Sequence, residues 1–425
     1  MTLIVFIVSL LGAMVVGAPV AFALIFCGVM LMTYMGMFNT QIIAQNMMIG
    51  ADTFTLLAIP FFVLAGELMN AGGLSKRIID FSIACVGHIR GGLGIVAIFA
   101  AIIMASISGS AAADTAALAA ILIPMMAKAG YNVPRSAGLI AAGGVIAPVI
   151  PPSMAFIVFG VAANVSISKL FMAGIVPGVL MGLSLIVTWL LVVRKDKIES
   201  LPKASWSERG RQAARAVWAL GMPVIILGGI KMGIVTPTEA AVVAAFYALF
   251  VGMFVYGELK LSELPKVLLS AAKTTSAIMF LVCAALVSAW LITAANIPNE
   301  ITGFIEPLID HPKLLMFVIM VLILIVGTAL DLTPTILILT PVLLPIVVKA
   351  GIDPIYFGVM FIMNCCIGLL TPPVGVVLNV VSGVGKIPLG RVITGVWPFL
   401  IAETIVLFLL VLFPQIVTIP ANWLY

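Results

Sequence analysis

Charge is what this 425-residue chain lacks most: Asp, Glu, Lys and Arg together make up 9% of it, against 63% apolar residues. A soluble domain carries about a quarter charged residues, so this apolar excess has no globular core to hide in. No charged side chain precedes Asp52, and none occurs in 91–113, 136–168, 170–193, 274–299 or 404–425. Each run is long enough for the roughly 20 helical residues that cross a hydrocarbon layer of about 30 Å. A soluble enzyme and a nucleic-acid binder are excluded, and the net charge of +5 has to be read loop by loop. Histidine is nearly absent: His88 and His311 have no suitably spaced carboxylate for a metal centre and complete neither an H-E-x-x-H nor a Ser–His set. No G-x-x-x-x-G-K-[ST] loop is present, so the chain is not expected to hydrolyse ATP or to act as an enzyme, and no cofactor is implied. The five cysteines lie in apolar runs and read as small buried hydrophobes rather than a disulfide or metal framework.

Apolar segments fall at about 3–16, 19–36, 53–70, 93–127, 135–163, 170–193, 216–234, 237–256, 274–295, 314–348, 354–384 and 395–414. A lipid-exposed backbone must satisfy its own hydrogen bonds, and the alternation of a membrane barrel is missing, so an all-α multi-pass fold is expected. No basic stretch precedes the first run and no A-x-A site closes it, so it reads as a span and not a signal peptide. Residues 194–215 hold seven basic and three acidic side chains and read as a cytoplasmic linker between two halves, 1–193 and 216–425.

The halves repeat at an offset of 221 positions. Pro124 falls on Pro345, Lys128-Ala129-Gly130 on Lys349-Ala350-Gly351, Pro151-Pro152 on Pro372-Pro373, Gly174 on Gly395 and Pro177 on Pro398. Internal repeats of this kind mark secondary transporters. Basic residues in 70–92, 128–135, 194–215, 258–273 and 386–391 assign those loops to the cytoplasm, while Glu300, Glu306 and Asp310 assign 296–313 to the outside. Segment 93–127 then enters and leaves on one side, as does 314–348, making two re-entrant hairpins. Five spans plus a hairpin per half invert the second half and place both termini in the periplasm. Segments 37–52 and 258–273 read as interfacial arms, and Trp206, Trp218, Trp397 and Trp423 as interfacial anchors.

Polar residues cluster at the hairpin tips. The apolar run 93–105 would be only about 20 Å long as a helix, and it ends in Ser106-Ile107-Ser108-Gly109-Ser110. The second tip is Gly327-Thr328-Ala329-Leu330-Asp331-Leu332-Thr333-Pro334-Thr335. Irregular backbone at membrane depth is tolerated only where protein or water covers it, although small residues also serve close helix packing. Asp114 and Asp331 each precede an apolar helix, where an acid either caps free N–H groups or handles a cation or proton. Prolines break two further segments, at Ala147–Ser153 and Gly368–Pro373. The freed carbonyls and nearby hydroxyls suit a hard cation, and the following half-helix suits an anion.

The motifs SGSAAADTAA, VIPPS, LDLTPTILILTPVLLP and GLLTPPVG, with AIPFFVLAGELMNAGGLSKRI and TPTEAA, resemble the large membrane subunit of tripartite ATP-independent periplasmic (TRAP) transporters along the whole chain. The resemblance implies an elevator-type transport domain in a bacterial cytoplasmic membrane, with Na+ as coupling ion. It implies a small four-helix membrane subunit and a periplasmic binding protein as partners. The solute would be carboxylate-bearing, of the sialic acid, sugar acid or C4-dicarboxylate class. Sodium ligands carried over by the resemblance are Ser106, Ser108 and Ser110 with the break containing Pro148 and Pro151, and Gly327 and Asp331 with Gly368 and Thr371. Substrate contacts would come from Ser108, Gly109, Pro152, Ser153, Thr333, Thr335 and Pro373. Ile150 stands at the position matching Thr371, so an ion in the first half would rely on carbonyls or Ser153. A channel is the alternative, but channels use a symmetric ring or pore lining, and the inverted pseudo-symmetry of the halves argues against one.

Overall fold

The computed structural model describes residues 1–196, 198, 200–300 and 308–424; Glu306 of the acidic loop and Lys197 and Glu199 of the linker lie outside them. Among the described residues every regular element is helical. The first half holds α1 (Thr2–Val15), α2 (Val20–Tyr34), α3 (Thr40–Ala51), α4 (Ala58–Ala71), α5 (Leu74–Val86), α6 (Gly92–Ser108), α7 (Ala111–Lys128), α8 (Val133–Gly144), α9 (Met154–Ala162) and α10 (Ile167–Val192). The second holds α11 (Trp206–Lys231), α12 (Pro237–Phe250), α13 (Leu264–Ala294), α14 (Pro312–Gly327), α15 (Leu332–Lys349), α16 (Pro354–Leu370), α17 (Val376–Gly385), α18 (Leu389–Leu412) and α19 (Gln415–Leu424). Eight helical segments among the described residues are long and apolar enough to cross a membrane.

Local chemistry sets the boundaries. Ser110, Asn132, Ser153, Ser166, Ser205, Thr236, Asp331 and Asp353 each cap a helix through a side-chain oxygen that accepts a backbone N–H. At Thr236 the cap is a reciprocal box: Glu239 N donates to Thr236 Oγ1 at 3.3 Å while Thr236 N donates to Glu239 Oε2 at 2.8 Å.

Helix starts keep the 221-residue offset: Ala111 and Leu332, Val133 and Pro354. Packing is reciprocal between the halves. The first broken helix, α8, packs on α18, and its counterpart α16 packs on α10; α7 packs on α17, and α15 on α9. A second group forms apart from these, with α4 on α12 and α13, α2 on α13, and α5 on α11. The two groups touch along α5–α6, α4–α6 and α13–α15. A polar clamp fastens the start of the linker to the hairpin group: Arg135 Nη1 pairs with Asp196 Oδ2 at 3.0 Å, and Arg90 Nη2 donates to Arg194 O at 2.9 Å.

Four boundaries differ from expectation. The basic stretch 70–92 is largely helix α5, which buries Leu74, Ile78, Ile79 and Ser82 at helical spacing and leaves Lys76 exposed. The charged linker is half helical, because Ser205 caps α11 and residues 206–215 form its first turns. The two arms differ. The first is the separate helix α3, ended by Asp52, whereas 264–273 runs unbroken into the next span as part of the 31-residue α13. Lys273 occupies the position that matches Asp52, and lysine propagates a helix where aspartate favours its end. Finally, α6 continues through Ser106 and Ser108. The Ser106 hydroxyl donates back to Ile103 O at 2.6 Å, so the serine is accommodated within the helix, and Gly109 at φ +59° ends it.

Candidate functional site

Each hairpin tip meets a helix break of its own half. At the first, the left-handed Gly109 lets the chain turn between α6 and α7, and a Cβ there would fall 3.0 Å from Pro152 O and 3.2 Å from Ser153 Cα. Ser153 spans the break, donating to Pro148 O at 2.6 Å and accepting from Ala155 N at 3.2 Å. Inside the tip, Ser108 Oγ donates to Asp114 Oδ1 at 2.5 Å and accepts from Ser110 N at 3.2 Å. Asp114 is 1% exposed, and its Oδ2 has no donor; the buried Thr115 Oγ1 beside it is also unpartnered. The other helix group reaches this tip through Gly66 of α4, where a Cβ would lie 3.8 Å from Ser108 Cα.

At the second tip the contact is backbone on backbone. A Cβ on Gly368 of α16 would fall 2.8 Å from Gly327 Cα and carbonyl carbon, so only glycine fits. Thr371 ends α16 in an extended conformation, and its Oγ1 donates to Ile367 O at 2.7 Å, which leaves the hydroxyl's lone pairs available to an electropositive ligand. Thr335 is wholly buried and donates to Asp331 O at 2.8 Å. Both breaks carry a cis Pro-Pro bond, Pro151-Pro152 and Pro372-Pro373.

The two acids separate in role. Asp331 is the N-cap of α15, exposed, accepting from Leu332 N at 2.8 Å. Asp114 is not a cap: Ser110 fills that position for α7, and Asp114 sits one turn inside. By the 221-residue offset Ser110 matches Asp331 and Asp114 matches Thr335, so the acid has exchanged places with a hydroxyl between the tips. Of the sequence-based candidates, Ser108, Ser110, Gly109, Pro152, Pro148 and Ser153 gather at the first tip, and Gly327, Gly368, Asp331 and Thr335 at the second. Ser106 is committed to its own helix. Glu403, a fully buried acid in the interior of α18, escaped the sequence reading although it is the lone acid in that helix, whose other charge, Arg391, stands in the first turn.

An all-helical, multi-pass membrane protein with irregular backbone gathered at paired tips and breaks has the organisation of a membrane permease. The family model of the tripartite ATP-independent periplasmic transporter, DctM component, matches residues 7–416, and the chain belongs to this family. It is 55% identical over 424 residues to the 2,3-diketo-L-gulonate TRAP transporter large permease protein YiaN of Escherichia coli K12, covering 100% of both chains. It is 42% identical over 374 residues to the C4-dicarboxylate large permease DctM of Pseudomonas aeruginosa, covering 88% of each. The sialic acid large permease SiaM of Vibrio cholerae is 41% identical over 405 residues, with 95% of each covered. Among solved structures, the YdaH transporter of Alcanivorax borkumensis superposes with a TM-score of 0.63 at 15% identity, over 87% of this chain and 86% of that one, a likeness of fold.

Proposed function

We propose that this permease takes up a carboxylate-bearing organic acid by sodium-coupled symport, moving the hairpin group as an elevator against the α1–α5 and α11–α13 group. The contact of Gly327 with Gly368 carries the reading: two backbones meet with no side chain between them, and Thr371 N donates to Gly368 O at 2.9 Å at the same helix end. Carbonyls and hydroxyls gathered in this way suit a hard monovalent cation. The first tip supplies a second such place through Ser108, Ser110, Asp114 and the Pro148–Ser153 break. The reciprocal packing of α8 on α18 and α16 on α10 supports two inverted repeats, 1–193 and 216–425. Full-length similarity to a diketogulonate permease favours a sugar acid over sialic acid or a C4-dicarboxylate. In this reading the chain spans the cytoplasmic membrane with both termini periplasmic. It works with a small four-helix membrane subunit and a periplasmic binding protein that delivers the solute.

The test is uptake of a panel of labelled organic acids by vesicles holding the complete transporter, with the binding protein supplied outside. Uptake of a sugar acid that follows the sodium gradient supports the reading. Full-rate uptake in sodium-free buffer under a proton gradient overturns the coupling, and flux that persists after the gradient collapses indicates a channel.

A further inference from the structure

Glu403 is the single charged residue between Val392 and Leu412. At 1.5 Å per residue it lies about 14 Å from one end of α18 and about 21 Å from the other. The helix buries Val392, Val396, Phe399, Glu403, Leu407 and Leu410 at helical spacing, so the carboxyl sits on the packed seam and not toward lipid. It is 0% exposed, and neither Oε1 nor Oε2 has a hydrogen-bond donor. One turn earlier the Phe399 ring meets Trp189 of α10 at 6.3 Å. Two turns later Leu410 O accepts from the Tyr356 hydroxyl of α16 at 3.0 Å.

Among the described residues no cation faces this carboxyl. On the helices packed against α18, Arg135, Lys169 and Lys313 stand in the first turns of α8, α10 and α14, and Lys386 follows α17. Arg135 is held by Asp196. On α16, Tyr356 is committed to Leu410, and the buried thiols Cys365 and Cys366 are the remaining titratable groups. Aromatic, aliphatic and thiol neighbours supply no hard oxygen ligands for a metal cation. An ionised carboxylate at membrane depth with neither donor nor counter-charge is untenable.

We propose that Glu403 is a proton-binding site of the hairpin group: it resides in the membrane core as the neutral acid, and the group carries solute only while that proton is held. The second half rests on the transport reading above, and the first half does not. The neutral form exists at low pH and is lost as pH rises. Beyond the titration point its population falls about tenfold per pH unit, and uptake falls with it. Glu403→Gln keeps the shape and is neutral at every pH.

Two measurements decide the matter. Infrared difference spectra of the purified protein should show a protonated-carboxyl carbonyl band that Glu403→Gln removes and that Asp353→Asn, at an exposed helix cap, retains. In vesicles with the complete transporter, wild-type uptake should fall with rising pH while the Glu403→Gln rate stays level. Absence of a Gln-sensitive band overturns the proton site. A band with identical pH profiles for wild type and variant overturns the gating. If the variant does not fold, the wild-type band is titrated in protein carrying labelled glutamate, and a band constant across the pH range where uptake falls also overturns the gating. Wild-type vesicles without solute uptake would count against the transport reading alone, because the spectra stand apart from it.

Discussion

Gly327 and Gly368 meet at a distance no side chain survives: a methyl group on Gly368 would overlap the Gly327 backbone at 2.8 Å. Overpacking of this kind costs about 1–3 kcal/mol. Gly368→Ala should therefore push the second tip off its break and raise the sodium concentration for half-maximal uptake by roughly 5- to 150-fold, the same energy expressed as affinity. Gly383→Ala is the control, since its Cβ would meet nothing within 4 Å. Unchanged sodium curves for Gly368→Ala would remove this contact from the ion site.

Thr371→Val keeps the shape but deletes the hydroxyl that bonds Ile367 O. Loss of a hydrogen bond or ligand there costs about 1–3 kcal/mol. The variant should need more sodium at normal expression, and Thr371→Ser should restore the wild-type curve. Ile150→Val, at the matching position of the first half, removes no polar atom and should shift sodium dependence little. Sodium titrations of uptake read all three.

Ser108→Ala removes the hydrogen bond that Asp114 receives and leaves a buried acid with no donor on either oxygen. An unsatisfied buried group of this sort costs about 1–3 kcal/mol. Thermal unfolding in detergent should show a lower Tm for Ser108→Ala than for Ser106→Ala, whose hydroxyl serves only Ile103 O. Equal Tm values would show that Asp114 does not depend on the serine.

Orientation is open to cysteine labelling from outside in a cysteine-free background. The natural reporter in 70–92, Ser75, is buried and bonded to Asn70, so the exposed Lys76 replaces it. An impermeant reagent should mark Asn299→Cys and spare Lys76→Cys. The reverse pattern would invert the chain in the membrane.

The sequence discloses this architecture because membrane helices must be long, apolar and internally bonded, and because Pro, Gly and Ser mark most interruptions. Thus Pro151-Pro152 and Pro372-Pro373 located both breaks, and Ser110 and Asp331 both tips. Tertiary contacts were harder to read. Nothing in local pattern distinguishes Ser108, which turns toward Asp114, from Ser106, which turns back on its helix. The division of the two acids into cap and buried group depends on where each helix begins, and a one-turn shift exchanges the roles. Helix α5 was concealed because its polar face resembles a loop.

The unbroken α13 has a consequence for the surrounding lipid. Its apolar part, from Thr274 to Ala294, is about 31 Å long at 1.5 Å per residue, close to the hydrocarbon thickness of a bilayer. Its first turns carry Lys266 and Lys273, and between them Ser270 donates to Glu67 Oε1 of α4 at 3.0 Å. The flank of the same rod packs on α15. Hydrophobic mismatch is met by tilt, at a cost of fractions of a kcal/mol per Å, so a thicker or thinner bilayer would act first on the angle of this rod.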